Sequence, residues 1–296
     1  MDWQTTYRSR LVTASEAVRA VHSGDRIFLT GNCSIPKLLL NALIEYAPAL
    51  SDVEICQALA VGSSDYVAPE LAGHLRVNSL FISPNVRKAV QDGRADFTPV
   101  LLSEFPLLFK NGILPVDVAF VHLSPPDRLG YCTYGIETGL TRSAAESAKI
   151  IIAEINQQMP RMYGDTQIHV SDLDYIVEAD YPLAEISMGG EECDECTQKI
   201  AQFIAERIPD GATFQPGIGE IPNMVLRFLK DKKDLGIHSE LFSDGVIDLV
   251  ESGVITGARK TIHRGKIISG FLLGTNRLYH WANDLPIIEL YRTEYV

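Results

Sequence analysis

The segment RIFLTGNCSIPKLLLNALIEY (residues 26–46) contains a complete strand–turn–helix unit. Arg26–Thr30 is a short apolar run that predicts a β-strand, and the Gly-Asn pair that follows predicts a turn. Pro36 then opens a predicted helix that runs through Tyr46, because proline is favoured in the first turn of a helix. A strand followed closely by an amphipathic helix is the repeating unit of a parallel α/β sheet.

The same alternation continues on both sides of this unit. Residues 15–21 and 141–147 predict further helices, and short β-prone runs occupy Val53–Ala58, Ser79–Ser83, Val118–His122 and Lys149–Ala153. We therefore expect a mostly parallel, doubly wound α/β architecture.

A second unit is predicted to begin near Glu191, after the flexible break at Ser187–Gly190. Residues 191–208 predict an amphipathic helix, with Ile200, Phe203, Ile204 and Ile208 on one face. A short strand (212–215), a glycine loop and a helix through Leu229 follow. The sequence thus predicts two open α/β domains, residues 1–190 and 191–296.

Composition excludes several classes of protein. The formal net charge of the 296 residues is −12, which opposes nonspecific binding to nucleic acid. No run of 18 apolar residues predicts a membrane span, and the polar residues 1–10 do not predict a signal peptide. The five cysteines are irregularly spaced, which is typical of reduced thiols, so we expect a cytoplasmic protein without membrane partners.

The first candidate site is the loop Gly217-Ile218-Gly219-Glu220-Ile221-Pro222, between a predicted strand and a predicted helix. Backbone N–H groups at such a helix start can bind an anion or form an oxyanion hole. The proline at its sixth position departs from the dinucleotide-binding fingerprint. A plain glycine turn that joins strand to helix is the alternative.

The second candidate site is LGIHSELFSDG (235–245), in which acidic and hydroxyl side chains and a histidine lie among apolar residues. If residues 236–242 are extended, His238, Glu240 and Phe242 share one face of the strand. Glu240 is then a candidate nucleophile that faces the glycine loop. The alternative is a polar turn in which Ser243 or Asp244 caps a helix. Ser239 lacks the Gly-x-Ser-x-Gly context of a serine hydrolase.

Three other features favour structural interpretations. Cys193-x-x-Cys196 has no second cysteine or histidine pair for a metal, and its acidic neighbours oppose thiolate formation. The loop Ser124-Pro125-Pro126-Asp127 follows a predicted strand, as site loops often do, but it also suits a stiff connection. Arg161 is able to clamp an anion, although a lone arginine more often forms a surface ion pair.

Together these motifs resemble the acetyl-CoA hydrolase/transferase family, and within it most of all the 4-hydroxybutyrate and butyrate:acetate CoA-transferases. The resemblance covers essentially the whole chain. It rests on DVAFVHLSPPDRLGYCTYG (117–135), IIIAEINQQMPRMYGDTQIHVSDLDYIVEAD (150–180), DGATFQPGIGEIP (210–222) and DLGIHSELFSDGVIDLVESGVITG (234–257), with LSEFP (102–106).

The resemblance implies that Glu240 is the covalent nucleophile and that Gly217, Ile218, Gly219, Glu220 and Ile221 contact coenzyme A. It implies transfer of CoA between a short-chain acyl-CoA and a carboxylate of the 4-hydroxybutyrate, butyrate or acetate type. It also implies a glutamyl-CoA thioester, no metal, and a homodimer.

The chain departs from the family pattern at three points. Met162 stands where a hydroxyl residue is usual, and IHSEL stands where IHTEM is common. Family members usually continue beyond the position of Val296, so we expect the second domain to be incomplete. The sequence therefore leaves open an acetyl-CoA hydrolase and an inactive CoA-binding fragment. A sugar-phosphate isomerase on a related fold would leave the IHSE segment unexplained.

Overall fold

Helices and strands alternate along residues 2–187 and 194–296, the parts of the chain that the computed structural model describes. The helices are α1 (Trp3–Arg10), α2 (Ala14–Ala17), α3 (Lys37–Tyr46), α4 (Pro84–Gln91), α5 (Phe105–Lys110), α6 (Thr141–Ser147), α7 (Glu195–Arg207), α8 (Glu220–Arg227), α9 (Gly245–Glu251) and α10 (Asn276–Ala282). The strands are β1 (Arg26–Leu29), β2 (Val53–Ala58), β3 (Leu75–Phe81), β4 (Asp96–Phe97), β5 (Val118–Leu123), β6 (Tyr131–Thr133), β7 (Ile150–Asn156), β8 (Tyr163–Gly164), β9 (Gln167–His169), β10 (Tyr175–Ala179), β11 (Thr213–Phe214), β12 (Gly236–Phe242), β13 (Ile267–Leu272) and β14 (Ile288–Leu290).

The first sheet has seven parallel strands in the order β10-β7-β5-β1-β2-β3-β4. The central strand β1 pairs with β2 on one side and β5 on the other, so the winding direction reverses between β1 and β5. Ile27, Phe28 and Leu29 are buried because helices cover both faces of such a sheet. Ligands of doubly wound folds bind beyond the carboxyl ends of the strands at this reversal.

The second sheet has five parallel strands in the order β11-β12-β13-β14-β8. Its strand β12 spans the residues that the sequence predicts to be extended. Together the two parallel sheets confirm the predicted fold class. An antiparallel pair, β6 and β9, lies outside both sheets.

Strand β8 belongs to the second sheet although it lies far before residue 190. It pairs with β14, and the Asp165 N–H donates to the Leu290 carbonyl over 2.8 Å. Gly164 has φ +102°, and a Cβ there would lie 2.4 Å from the same carbonyl oxygen, so glycine is required. The proposed boundary at residues 190 and 191 lies outside the described residues, and the division into two domains stays a prediction.

Helix α7 turns small residues toward the core and leaves part of its apolar face exposed. It begins at Glu195, with the Asp194 carboxylate accepting from the Thr197 N–H over 2.8 Å as an N-cap. The side that packs inward carries Thr197, Ala201 and Ala205. Three of the apolar residues that the sequence places on one face are 39% (Ile200), 58% (Phe203) and 41% (Ile204) exposed. Small residues face α8 because they allow the two helices to pack closely.

Met162, the departure from the family pattern, is part of the core. It is 2% exposed and packs in the hydrophobic cluster around the second sheet. Its backbone carbonyl accepts from the Thr166 hydroxyl over 2.8 Å. The thioether therefore fills core volume, as methionine commonly does.

Among the described residues, no helix combines the length and the apolar composition that crossing a bilayer requires.

Candidate active site

Glu240 lies near the carboxyl end of β12, and its side chain lines a cavity of about 280 Å³ between the two sheets. Parallel pairing with β13 matches Ser239 to Ser269 and Leu241 to Phe271, which places Glu240 opposite Gly270. The cavity wall is mainly apolar and combines residues from the strand ends of the first sheet with residues of the second: Phe28, Gly31, Asn32, Ala58, Leu59, Phe81, Leu102, Phe105, Glu137, Leu140, Gln215, Pro216, Gly217, Ile218, Leu241, Phe271 and Thr293.

The Glu240 carboxylate is electrostatically uncompensated. Within residues 2–187 and 194–296 no hydrogen bond or ion pair reaches it, and the wall of its cavity carries no lysine, arginine or histidine. Burial raises the pKa of Glu240 above its ordinary value, because the apolar surroundings disfavour the charged form. A less solvated carboxylate with a raised pKa is a better nucleophile than an exposed one.

The glycine loop stands beside Glu240. Gly217 and Ile218 line the same cavity, while Gly219, Glu220 and Ile221 form the start of α8 and are not part of the wall. Gly219 has φ +117° and ψ −175°, a conformation that is essentially restricted to glycine. In the described chain the N–H groups of residues 217–219 have no protein acceptor, so they remain available to a ligand at the helix start.

One buried polar contact joins the residue that precedes the loop to β12. The Ser239 hydroxyl lies 3.3 Å from the Pro216 carbonyl and 2.6 Å from the Leu241 carbonyl. Ser239 is 1% exposed on the side of the strand away from Glu240. Its hydroxyl is thus committed to the backbone, in agreement with the absence of a serine-hydrolase motif.

The alternative interpretation, in which Ser243 or Asp244 caps a helix with its side chain, does not match the contacts of these residues. Asp244 directly precedes α9, but its carboxylate accepts from the backbone N–H and the hydroxyl of Thr275 and caps no helix N–H. The Ser243 hydroxyl bonds the Asn223 amide oxygen over 3.0 Å. Both side chains therefore join separate segments around the end of β12. His238 shares the face of Glu240 but does not line the cavity.

Two buried polar residues of the wall were not predicted from the sequence. Glu137 is 2% exposed, and its carboxyl group accepts from the Leu140 N–H over 3.1 Å and contacts the Thr141 hydroxyl. Burial raises the pKa of Glu137. Asn32 is 5% exposed, has φ +53°, and holds its Oδ1 buried without a partner. Neither belongs to a recognisable motif, so only the packing of the two sheets identifies them.

The other candidates take structural roles. The Arg161 guanidinium lies 3.0 Å from the Asp127 carboxylate and also donates to the Tyr131 carbonyl, so it ties the Ser124–Asp127 loop in place. Neither this arginine nor that loop lines the cavity. Cys193 lies outside the described residues, whereas Cys196 is exposed on α7. Among the described side chains, no group of three or more His, Cys, Asp or Glu is arranged to hold a metal.

The paired parallel sheets, with a glutamate and a glycine loop on one cavity, define the fold class of the CoA-transferases. A solved 4-hydroxybutyrate CoA-transferase from Porphyromonas gingivalis superposes with a TM-score of 0.88 at 35% identity, over 99% of this chain and 70% of that one. The chain belongs to the acetyl-CoA hydrolase/transferase family, whose N-terminal domain model matches residues 1–186. This confirms the resemblance stated from the sequence motifs.

Two curated relatives extend the comparison. The 4-hydroxybutyrate coenzyme A transferase of Clostridium kluyveri is 46% identical over 296 residues, which are all of this chain and 68% of the relative. The succinyl-CoA:acetate/propanoyl-CoA:succinate CoA transferase of Fasciola hepatica is 40% identical over 270 residues, covering 90% of this chain and 56% of the relative. The chain thus spans about two thirds or less of the length of these relatives.

Proposed function

We propose that this protein is a CoA-transferase that moves CoA between a short-chain acyl-CoA and a carboxylate, with Glu240 as the nucleophile. The observation that carries the proposal is the unpaired Glu240 carboxylate in an apolar cavity beside the free N–H groups of the glycine loop. The curated names of the relatives support the same class of reaction.

The proposed reaction proceeds by exchange steps that balance without water. A carboxylate oxygen of Glu240 attacks the thioester carbonyl, CoA leaves as thiolate, and a mixed anhydride forms. The thiolate then attacks the glutamyl carbonyl and releases the acyl group as its carboxylate, which leaves a glutamyl-CoA thioester. A second carboxylate takes up the CoA by the reverse of these steps. Each step passes through a tetrahedral oxyanion.

The glycine loop is the proposed stabiliser of these oxyanions. Removal of one hydrogen-bond donor from an oxyanion hole costs about 3–4 kcal/mol in enzymes that stabilise tetrahedral intermediates. Gly217 and Ile218 line the cavity wall, which supports this role, and Gly217, Ile218, Gly219, Glu220 and Ile221 are together proposed to contact CoA. Acyl groups of the 4-hydroxybutyrate, butyrate or acetate type suit the small cavity.

An intact-mass measurement with butyryl-CoA or acetyl-CoA tests the proposal. We expect the protein mass to increase by CoA minus one water, and the increase to be absent in Glu240→Gln, which keeps the side-chain shape. Glu251→Gln, an exposed residue at the end of α9, is the matched control and should form the adduct normally. A folded protein that forms no adduct with any acyl-CoA would refute the transferase.

The two alternatives give different products. A hydrolase releases free CoA in the absence of a carboxylate acceptor, whereas a transferase requires the acceptor and shows ping-pong kinetics. An inactive CoA-binding fragment forms no adduct and binds CoA equally well when Glu240 is replaced by alanine. We also propose a homodimer in the cytoplasm, to be tested by light scattering and by cell fractionation.

A further inference from the structure

The first sheet contributes to the cavity a loop that is the counterpart of the glycine loop. The segments FLTGNCSIPKLLL (28–40) and FQPGIGEIPNMVL (214–226) have identical residues at five positions with the same spacing. Each segment begins in a strand of a parallel pair, β1 with β2 or β11 with β12, and ends in a helix, α3 or α8. Asn32 of the first loop therefore takes the place of Ile218 in the second, and both residues line the cavity that holds Glu240.

The two loops differ in the partners of their backbone N–H groups. In the described chain, the N–H groups of residues 217–219 have no protein acceptor. In the first loop, the Asn32 N–H donates to the Leu59 carbonyl over 2.7 Å and the Ser34 N–H donates to the Gly31 carbonyl over 3.1 Å. The counterpart of the free N–H at Ile218 is thus already bonded within the protein.

Asn32 instead offers the cavity a free side-chain amide. Its backbone is bonded on both sides, since its carbonyl accepts from the Val61 N–H over 3.0 Å. Its φ of +53° is in the left-handed region, where strained residues cluster at active sites. The side chain is 5% exposed, its Oδ1 is buried without a partner, and no described residue hydrogen-bonds its Nδ2. The amide N–H groups are therefore available to a ligand in the cavity.

The proposed transfer forms oxyanions on two different atoms. Attack by Glu240 on the thioester places negative charge on the acyl carbonyl oxygen, whereas attack by the CoA thiolate on the glutamyl carbonyl places it on an oxygen of Glu240. A fixed donor must lie about 3 Å from the oxygen that it stabilises. The glycine loop belongs to the same sheet as Glu240, whereas Asn32 approaches from the other sheet. The described wall carries no lysine, arginine or histidine, so neutral donors must serve both positions.

Building on the proposed function, we propose that Asn32 is a second catalytic residue, whose side-chain N–H donates to the acyl carbonyl oxygen while Glu240 attacks the acyl carbon. It acts in addition to the glycine loop, and no proton is transferred. The hydrogen bond strengthens as charge develops on the oxygen, so it favours the transition state over the bound substrate. The contact is made to the carbonyl group that all acyl-CoA substrates share, and it does not depend on the rest of the acyl chain.

Asn32→Gly tests this role because glycine adopts positive φ readily, so the amide is removed while the backbone conformation is kept. We expect the rate of glutamyl-CoA formation from butyryl-CoA, followed by intact mass, to fall about 100-fold. The free energy of unfolding in urea should change little. Asp52→Gly is the matched control, since Asp52 also has positive φ (+57°) but is exposed and lies outside the cavity wall. This control should react at the normal rate.

Binding of unreactive analogues tests the contact without turnover. One probe is the ketone analogue of acetyl-CoA in which CH2 replaces the thioester sulfur, and the other is propyl-CoA, a thioether without the carbonyl oxygen. Calorimetric titration gives the ratio of their dissociation constants. In Asn32→Gly we expect the relative affinity for the ketone to fall about three- to tenfold, the effect of one hydrogen bond, while the affinity for propyl-CoA stays the same.

The two measurements separate this inference from the proposed function. If the unmodified chain forms no adduct but the affinity ratio falls in Asn32→Gly, the proposed transfer fails and the contact made by Asn32 stands. A folded Asn32→Gly variant that forms the adduct at the normal rate would overturn the catalytic role. An affinity ratio that is the same in Asn32→Gly and the unmodified chain would also overturn it, whatever the rates.

Discussion

Replacement of Gly219 by alanine tests the proposed role of the glycine loop. Gly219 has φ +117° and ψ −175°, and a Cβ there would meet nothing within 4 Å, so the cost of alanine comes from the backbone alone. A residue with a Cβ pays roughly 1–3 kcal/mol in this region, unless the backbone relaxes to another conformation. Relaxation would redirect the N–H groups of residues 217–219.

Either response has a measurable result. We expect the free energy of unfolding in urea to fall by about 1–3 kcal/mol, and the rate of glutamyl-CoA formation to fall about 100-fold if one oxyanion donor is lost. Gly253→Ala is the matched control, since Gly253 also has positive φ (+77°) and free space but lies beyond α9, outside the cavity wall. The reasoning fails if Gly219→Ala reacts at the normal rate while Gly253→Ala alone loses stability.

Three further predictions concern stability and reactivity. Phe242→Ala, at a side chain with no exposed surface, should lower the free energy of unfolding by about 3–5 kcal/mol in urea, whereas Phe203→Ala, at a 58% exposed side chain, should change it little. Burial raises the pKa of Glu154 to about 7, so the protonated side chain stabilises the fold below about pH 4.5, and this stability is lost as the pH rises through 7. The free energy of unfolding of Glu154→Gln should therefore increase relative to that of the unmodified chain between these two pH values. A difference that stays constant with pH would contradict this prediction. Iodoacetamide at neutral pH should modify Cys196 first among the described cysteines, because burial raises the pKa of the three other thiols, Cys33, Cys56 and Cys132. Peptide mass mapping, with Cys196→Ser as the control, would show this order.

Long, strongly patterned elements were predictable from the sequence. The strand over residues 236–242 and the helix over residues 141–147 have the expected bounds. Strand β3 is different, since it begins at Leu75 and ends at Phe81, whereas residues 79–83 were expected. Arg76 interrupts the apolar pattern there, and only the structure shows that its guanidinium pairs with Asp96 of the neighbouring strand β4.

Features that depend on distant segments were not predictable. The apolar residues of α7 mark a hydrophobic stripe correctly, but local periodicity carries no information about which side α8 approaches. The two-residue strand β8 has no period to detect. In the candidate site, Glu240 and the glycine loop were found because they form motifs, and Glu137 and Asn32 were missed because the cavity alone relates them to Glu240.

The pairing of β8 with β14 has a consequence for dissecting this protein. A polypeptide that starts at residue 191 would lack Tyr163 and Gly164, and β14 would then present unpaired backbone groups along its length. Exposed strand edges of this kind recruit other chains and promote aggregation. A shortened polypeptide that is meant to fold as the second sheet alone should therefore also include residues 163–165, for example by joining that short strand covalently to the rest of the sheet.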